Sequence, residues 1–121
     1  MPKIYHITTR KESDDAAQRG RYAPASLAAD GFIHCSHAHQ LVAVANTFFA
    51  SQLGLVVIEI DPAKLHCEVL EENAEGGAEK FPHIYGEVPW SSVERVLSLA
   101  AGPDGAFVAP SGLNEPGPKP R

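Results

Sequence analysis

The sequence predicts a single α+β domain with a mixed or antiparallel sheet. The chain has 121 residues, the size of one domain, and its 44% hydrophobic content is enough for a real core. Helix-like segments come early and most strand-like segments come late, which favours α+β over a doubly wound fold. We assign the folded domain to residues 1–113. Residues 114–121 are dominated by Gly, Pro and charge, so we expect a disordered tail there.

The first half of the chain should contain both main helices. Thr9 or Ser13 can cap the first helix, and Gly20 can end it. Leu41, Val44, Ala45 and Phe48 recur at helical spacing and predict the core face of the second helix, which we expect to end at Gly54. The elements expected here are a strand over 3–8, a helix over 11–19, a loop over 21–30, a strand over 32–36 and a helix over 37–51.

The second half of the chain should be mostly strands. Residues 55–60 form the clearest strand because they are an apolar run rich in β-branched side chains. Pro82 favours extended backbone at Phe81, and Gly86 permits close approach of another part of the chain. We further expect a strand over 66–70, a mobile loop over 71–80, an extended segment over 81–86, a strand or short helix over 93–99 and a turn over 103–105.

Composition excludes several functional classes. The net charge of −5 argues against a DNA-binding protein that works by phosphate neutralisation. Arg10, Lys11, Arg19 and Arg21 alternate with acidic residues, which indicates a solvated helix face. No apolar run approaches the ~20 residues of a membrane helix, so we expect no membrane partner. The two cysteines and the absence of a targeting segment predict reduced thiols in a cytoplasmic protein.

The stretch 31–40 concentrates histidines, a thiol and a hydroxyl. His34 and Ser36 share one face of the predicted strand, and we expect that face to line a pocket. Cys35 points away from it and should be a buried structural thiol rather than a nucleophile. His37 and His39 lie about 200° apart around a helix, so this cluster predicts no metal site.

Two further motifs carry polar side chains on a single strand face. His6 and Thr8 repeat the His-x-Ser/Thr pattern of His34 and Ser36, so two imidazoles and two hydroxyls could address one phosphate, as in a two-histidine phosphoesterase. In the segment 81–86, His83 and Tyr85 share a face, and Glu71 and Glu72 lie just upstream. Taken alone, that segment favours a Pro-rich turn with a hydrogen-bonded histidine; three such segments with polar side chains on a single strand face favour a site.

Together these segments resemble a bacterial family known as a domain of unknown function, family 952. The family is distantly similar to the ADP-ribosyltransferase superfamily, whose split sheet grips NAD between two halves. The resemblance therefore implies an ADP-ribosyltransferase-like split sheet with two main helices. The matching residues span positions 4 to 86: Ile4-Tyr5-His6-Ile7, Tyr22-Ala23-Pro24-Ala25-Ser26-Leu27, Gly31-Phe32-Ile33-His34-Cys35-Ser36, Gln40 with Val44-Ala45-Asn46, and Phe81-Pro82-His83-Ile84-Tyr85-Gly86.

The resemblance also implies roles for particular residues. His6 and Thr8 would hold a ribose, and His34 stands where an aromatic residue often stacks on nicotinamide, as in the branch resembling RNA 2′-phosphotransferases. The activating acid would be Glu72 or Glu87, or that position would be non-acidic. Catalytic roles thus fall to His6, His34 and Glu72, and substrate contacts to Thr8, Tyr22, Ser36, His83 and Tyr85.

Several functions remain open at the level of sequence. The first is an enzyme that binds NAD or an ADP-ribose-bearing substrate, with NAD as a substrate and not as a resident cofactor. The second is a non-catalytic nucleotide-binding module, and the third is the two-histidine phosphoesterase. A wholly structural role for the histidine motifs is the remaining alternative.

Overall fold

The protein is a mixed α+β domain with antiparallel sheets, and the computed structural model describes residues 2–73, 77–110 and 113. The helices are α1 (Arg10–Arg19), α2 (Ala25–Asp30) and α3 (Leu41–Phe48), and short 3₁₀ turns cover Ala38–Gln40, Pro62–Lys64 and Trp90–Ser92. The strands are β1 (Ile4–Thr9), β2 (Arg21–Tyr22), β3 (Ile33–His34), β4 (Leu55–Ile60), β5 (Val69–Glu72), β6 (Phe81–Ile84), β7 (Val88–Pro89) and β8 (Val93–Leu99).

The central sheet has the order β1-β4-β8, and every residue of β4 is buried. Its two faces cover two separate cores, because successive side chains of a strand point to opposite faces. One core joins the sheet to α1 and the smaller sheets, and it includes Ile4, Ala16, Tyr22, Ile33, Cys35, Ile58, Ile60, Ile84 and Val88. The other joins it to α3 and includes Tyr5, Ile7, Leu41, Ala45, Leu55, Val57, Leu99, Phe107 and Leu113.

The first helix begins and ends where its sequence predicts. The Thr9 hydroxyl accepts a hydrogen bond from the Glu12 amide, and Gly20 adopts the left-handed conformation (φ 81°) with its N–H on the Ala16 carbonyl. A residue with a side chain would be strained at that φ. This helix covers the central sheet beside β1.

Two smaller sheets complete the fold and position the candidate site. One is β3-β6-β5, in which His34 lies opposite His83, and the other is the pair β2-β7. Backbone bonds between Tyr5 and Ser36 attach the chain after β3 to the outer edge of β1. His6 on β1 is thereby brought next to β3.

Several predicted boundaries were wrong. The expected loop over 21–30 contains β2 and α2, because Arg21–Tyr22 finds a partner in the distant Val88–Pro89. The second helix ends at Phe48 and not near Gly54, so Phe48 is 59% exposed while Phe49 packs on the core instead. The strand predicted over 66–70 is β5, which extends into the expected loop 71–80.

Other expectations are confirmed or lie outside the described residues. Residues 93–99 form a strand, β8, and the turn over 103–105 is closed by a bond from the Gly102 amide to the Ala106 carbonyl. Residues 74–76 of the expected loop and the tail 114–121 lie outside the described part. Within that part, no helix is both long and apolar enough to cross a bilayer.

Candidate functional site

Four rings from two neighbouring strands form a continuous surface, which we call the aromatic–imidazole shelf: Phe32, His34, His83 and Tyr85. Phe32 stacks on His83 with ring centroids 4.2 Å apart, and it contacts the edges of His34 at 4.8 Å and Tyr85 at 5.4 Å. The His34 and His83 rings are 5.2 Å apart. The strand register explains the shelf. His34 and His83 are directly opposite each other. Phe32 is two positions from His34 and Tyr85 is two positions from His83, so all four side chains share one face.

Glu72 fixes one end of the shelf. Its Oε1 accepts hydrogen bonds from His83 Nδ1 at 2.9 Å and from the Tyr85 hydroxyl at 2.5 Å. The hydrogen bond from Tyr85, and after it the one from His83, holds the pKa of the Glu72 carboxyl below its usual range. The Glu72 carboxylate in turn raises the pKa of the Tyr85 hydroxyl. Among the residues that the structure describes, none is hydrogen-bonded to Oε2. A fixed carboxylate therefore presents one oxygen beside the shelf.

The shelf residues differ in their access to solvent. The His83 ring is buried, but half of the His34 side chain is exposed, and Tyr85 is exposed as well. Asp30 at the end of α2 lies 3.4 Å from His34 Nε2. His34 is thus the imidazole that a bound molecule could reach.

A chain of hydrogen bonds through His34 and the buried His6 and Tyr22, which we call the relay, connects the shelf to β1. His6 Nδ1 lies 2.6 Å from the carbonyl oxygen of His34, and His6 Nε2 lies 2.7 Å from the Tyr22 hydroxyl. Burial lowers the pKa of His6, and it outweighs the opposing effects of the His34 carbonyl and of Glu12. Burial also raises the pKa of Tyr22. His6 is therefore a neutral imidazole with both nitrogens occupied.

Two hydroxyls predicted to contact substrate are already engaged or covered. Thr8 is buried, and its hydroxyl donates to a Glu12 carboxylate oxygen. Ser36 is also buried, at the point where the backbone pairs with Tyr5. The expectation that Ser36 and His34 line one pocket therefore differs from the structure, which buries Ser36 and leaves His34 on a surface.

Two clefts of the described part of the protein are lined by residues outside the shelf. One, of about 330 Å³, is lined by Lys11, Glu12, Asp15, Arg19, Tyr22, Ala23, Pro24 and Ala25. Another, of about 440 Å³, is lined by Pro2, Lys3, Tyr5, His37, Ala38 and His39. Within the shelf itself, Phe32 is stacked on the buried ring of His83.

The structure also separates the remaining candidates. Glu87 lies 3.9 Å from Arg21 Nε on the β2–β7 side, so Glu72 is the acid that reaches His83 and Tyr85. Glu71 bonds His37 Nε2 at 2.8 Å. Within the described residues, no group of three or more potential ligands is placed to hold a metal ion.

Neither Cys35 nor Cys67 is part of the shelf. Both are free, Cys35 is fully enclosed in the core, and burial raises the pKa of both thiols. A raised thiol pKa lowers the fraction of reactive thiolate, which is typical of a structural cysteine.

Sequence reasoning missed Phe32 and Asp30. Phe32 was interpreted as the end of a buried strand, although its position two residues before His34 places both on one face. Asp30 gave no sequence signal, because the short helix that carries it was not predicted.

The fold and the site together define a small α+β domain that carries an imidazole- and aromatic-lined surface with a fixed carboxylate. The chain belongs to the family described as "Protein of unknown function (DUF952)", whose model matches residues 7–96.

Solved structures agree with this assignment. The chain is similar to protein CC0527 from Caulobacter crescentus: its crystal structure shares 34% identity, covers 88% of this chain and 93% of that chain, and has a TM-score of 0.77. The solution NMR structure of CC0527 shares 36% identity, covers 88% and 91% of the two chains, and has a TM-score of 0.76. No curated protein matches the chain.

Proposed function

We propose that this domain binds a nucleotide of the NAD or ADP-ribose class on the shelf, and that it cleaves or transfers ADP-ribose with Glu72 as the catalytic carboxylate. The observation that carries the proposal is the fixing of Glu72 Oε1 by His83 and Tyr85 next to the exposed ring of His34. Such prior fixing of a charge where charge develops in a reaction is the main electrostatic device of enzymes.

The exposed members of the shelf suit the parts of this ligand. The rings of Phe32 and Tyr85 offer faces and edges to a planar base, since aromatic pairs favour offset or edge contacts. The half-exposed His34 can hydrogen-bond a ribose hydroxyl or a phosphate oxygen. Glu72 Oε2 can accept a bond from a ribose hydroxyl.

The proposed reaction breaks the bond between ribose C1″ and the nicotinamide nitrogen. The bonding electrons leave with neutral nicotinamide, and the positive charge left on the sugar is stabilised by the Glu72 carboxylate. Water or an acceptor hydroxyl then bonds to C1″ and loses a proton to Glu72 or to solvent. This choice of reaction follows the expectation, drawn from the sequence motifs, of a distant resemblance to the ADP-ribosyltransferase superfamily.

The structure changes the role that we propose for His6. Its two nitrogens are bonded to the His34 carbonyl and the Tyr22 hydroxyl, so it acts on the shelf through His34 as a positioning residue. The same geometry gives less support to the two-histidine phosphoesterase, which needs a free nitrogen on both His6 and His34. The two free thiols support the cytoplasm as the proposed location.

Titration of the protein with NAD and with ADP-ribose, followed by calorimetry and by the amide NMR signals of residues 32–34 and 83–85, tests the binding. Nicotinamide release from NAD tests turnover. We expect E72Q to keep binding within a few-fold and to lose about a hundredfold or more in kcat, a size typical of losing one preorganised charged group. The matched control is E71Q, because Glu71 is the next residue and bonds His37 instead.

Two results would contradict parts of this proposal. Binding of either nucleotide without nicotinamide release, unchanged in E72Q, would identify a non-catalytic nucleotide-binding module. Absence of binding at millimolar NAD and ADP-ribose would remove the nucleotide proposal altogether.

A further inference from the structure

The cleft of about 330 Å³ lies between α1 and the segment that enters α2. Its volume falls at the lower end of small-molecule sites. Charged side chains of α1 form one wall, and Ala23, Pro24 and Ala25 form the apolar side. Tyr22 is the buried member of the lining. The cleft thus combines apolar side chains with polar groups that can orient a ligand.

The charged wall contains one cation, Arg19, that forms no ion pair with a described residue. Lys11, Asp15 and Arg19 follow each other at intervals of four, so they lie along one stripe of the helix. Lys11 Nζ bonds Asp15 at 3.0 Å, and the carboxylate of Glu12 accepts the Thr8 hydroxyl. Within the described residues, the Arg19 side chain has no hydrogen bond or ion pair. Its guanidinium is free to bind an anion in two-point fashion, the geometry that suits phosphate.

The cleft is also close to the shelf. Tyr22 lines the cleft and its hydroxyl bonds His6 Nε2, and His6 Nδ1 bonds the carbonyl of His34. A single imidazole ring therefore lies between the Tyr22 side chain and the backbone of the exposed shelf histidine. An extended ligand could contact both places.

We infer that this cleft binds the phosphate-bearing part of the nucleotide, with Arg19 as the residue that holds the phosphate. The inference rests on the function proposed above for the shelf, and it assigns a second subsite to the same ligand. Two carboxylates, Glu12 and Asp15, balance the charges of Lys11 and Arg19 in the lining. Glu12 is engaged by the Thr8 hydroxyl and Asp15 by Lys11, so the Arg19 side chain is the charged group available to contact a phosphate.

Paired ligands and paired variants test the inference by calorimetry. ADP-ribose carries a pyrophosphate, whereas nicotinamide riboside carries no phosphate. We expect R19Q to weaken ADP-ribose binding about tenfold or more, the effect of losing a charge-assisted bond, without weakening nicotinamide riboside. R21Q is the matched control, because Arg21 is two residues away, undergoes the same charge change and lies near Glu87 outside the cleft lining.

Inorganic pyrophosphate separates this inference from the proposal for the shelf. It has no base or ribose, so it should shift the amide NMR signals of residues 11–25 in the unmodified protein and not in R19Q. Equal effects of R19Q and R21Q, or no pyrophosphate shift in α1, would overturn the cleft assignment even if NAD binds the shelf. Loss of ADP-ribose affinity in R19Q, with no ADP-ribose shift in the amide NMR signals of residues 32–34 and 83–85, would support the cleft while it overturns the shelf.

Discussion

The imidazole of His6 is hydrogen-bonded to the backbone carbonyl of His34, with 2.6 Å between Nδ1 and the oxygen. A carbonyl only accepts, so Nδ1 must carry the proton. Nε2 then accepts from the Tyr22 hydroxyl, 2.7 Å away. The buried His6 ring on β1 thus bonds His34 of β3 and Tyr22 of the cleft lining. These two partners determine which of its nitrogens carries the proton.

Removing this ring should destabilise the fold. H6A leaves a cavity, a buried carbonyl and a buried hydroxyl without their partner, which predicts a loss of about 2–4 kcal/mol in the free energy of unfolding. Y22F keeps the packing but leaves Nε2 without a donor, which predicts a loss of about 1–3 kcal/mol. Urea denaturation at pH 7.5 measures both. The exposed His66 provides the control H66A, and a similar loss in H66A and H6A would contradict the relay.

The depressed pKa of His6 predicts a dependence of stability on pH. The folded protein keeps His6 neutral, whereas the unfolded chain takes up a proton near the ordinary pKa of 6.5. The unfolded state therefore binds more protons below that pH, so the free energy of unfolding should fall as pH drops below about 6.5, with a slope of at most about 1.4 kcal/mol per pH unit from this group.

Denaturation curves of the unmodified protein and of H6Q between pH 5 and 8 measure this effect. H6Q should show a smaller slope below pH 6.5 than the unmodified protein, whatever its absolute stability. Parallel curves for the two proteins would show that His6 does not titrate differently in the folded and unfolded states.

The sequence predicted the elements whose signals are local. The first helix has its own cap at Thr9 and its own stop at Gly20, and β4 has a continuous apolar run, so these boundaries were nearly correct. The short β2 strand could not be predicted, because the strand that it pairs with in the described residues, β7, lies 67 residues further along the chain (88 minus 21). Phe48 illustrates a third case, since its helical spacing predicted a core position, but at the last residue of α3 its side chain is 59% exposed.

The candidate site was predictable only in part. Glu72, His83 and Tyr85 were named from the sequence, and their meeting follows from the antiparallel pairing of β5 with β6. The position of Phe32 over His83 depends on the register between β3 and β6, which no local pattern specifies. The burial of Ser36 likewise depends on a bridge to Tyr5, far away in sequence.

Gly86 should resist even the smallest side chain. A Cβ at this position would lie 2.8 Å from the Cβ and 2.9 Å from the Sγ of Cys67, closer than such atoms can approach. From the sequence, Gly86 was expected to allow close backbone approach; in the structure it is the Cys67 side chain that lies against it. G86A should lose about 1–3 kcal/mol in the free energy of unfolding through overpacking.

Thermal and urea denaturation of G86A and of a matched glycine variant measure this effect. G77A is the control, because its nearest atom, Asn73 Nδ2, would be 3.9 Å from the added Cβ. In the C67A background, the cost of G86A should decrease but not vanish, since the Cβ of residue 67 remains. Equal stability of G86A and G77A would show that the backbone relaxes without cost.

The buried carboxylate of Glu59 explains how the central strand keeps its register. All six residues of β4 are buried, so alternation of apolar and polar residues cannot specify which face is which. Glu59 lies opposite Tyr5 on one side and Arg95 on the other, and it bonds both: the Tyr5 hydroxyl at 3.1 Å and the Arg95 guanidinium at 2.9 and 2.6 Å. A one-residue slip would leave the carboxylate buried without partners.

This arrangement sets the ionisation of the group. Burial tends to raise the pKa of Glu59, but the bonds from Arg95 and Tyr5 outweigh it, so the pKa is lowered. Burial and Glu59 raise the pKa of Tyr5 to about 12. The stability that Glu59 contributes is therefore present above its ordinary pKa of 4.5 and is lost as pH falls below that value.

A double-mutant cycle tests whether the pair acts as a unit. R95M leaves a buried charge without its main partner and should lose about 3–5 kcal/mol in the free energy of unfolding. The double variant E59M/R95M should lose less than R95M alone, because replacing both members by apolar side chains of similar volume removes the buried charge as well. Urea denaturation at pH 7 measures the cycle. If the two single losses simply add in the double variant, Glu59 and Arg95 are independent, and the register of β4 must come from packing alone.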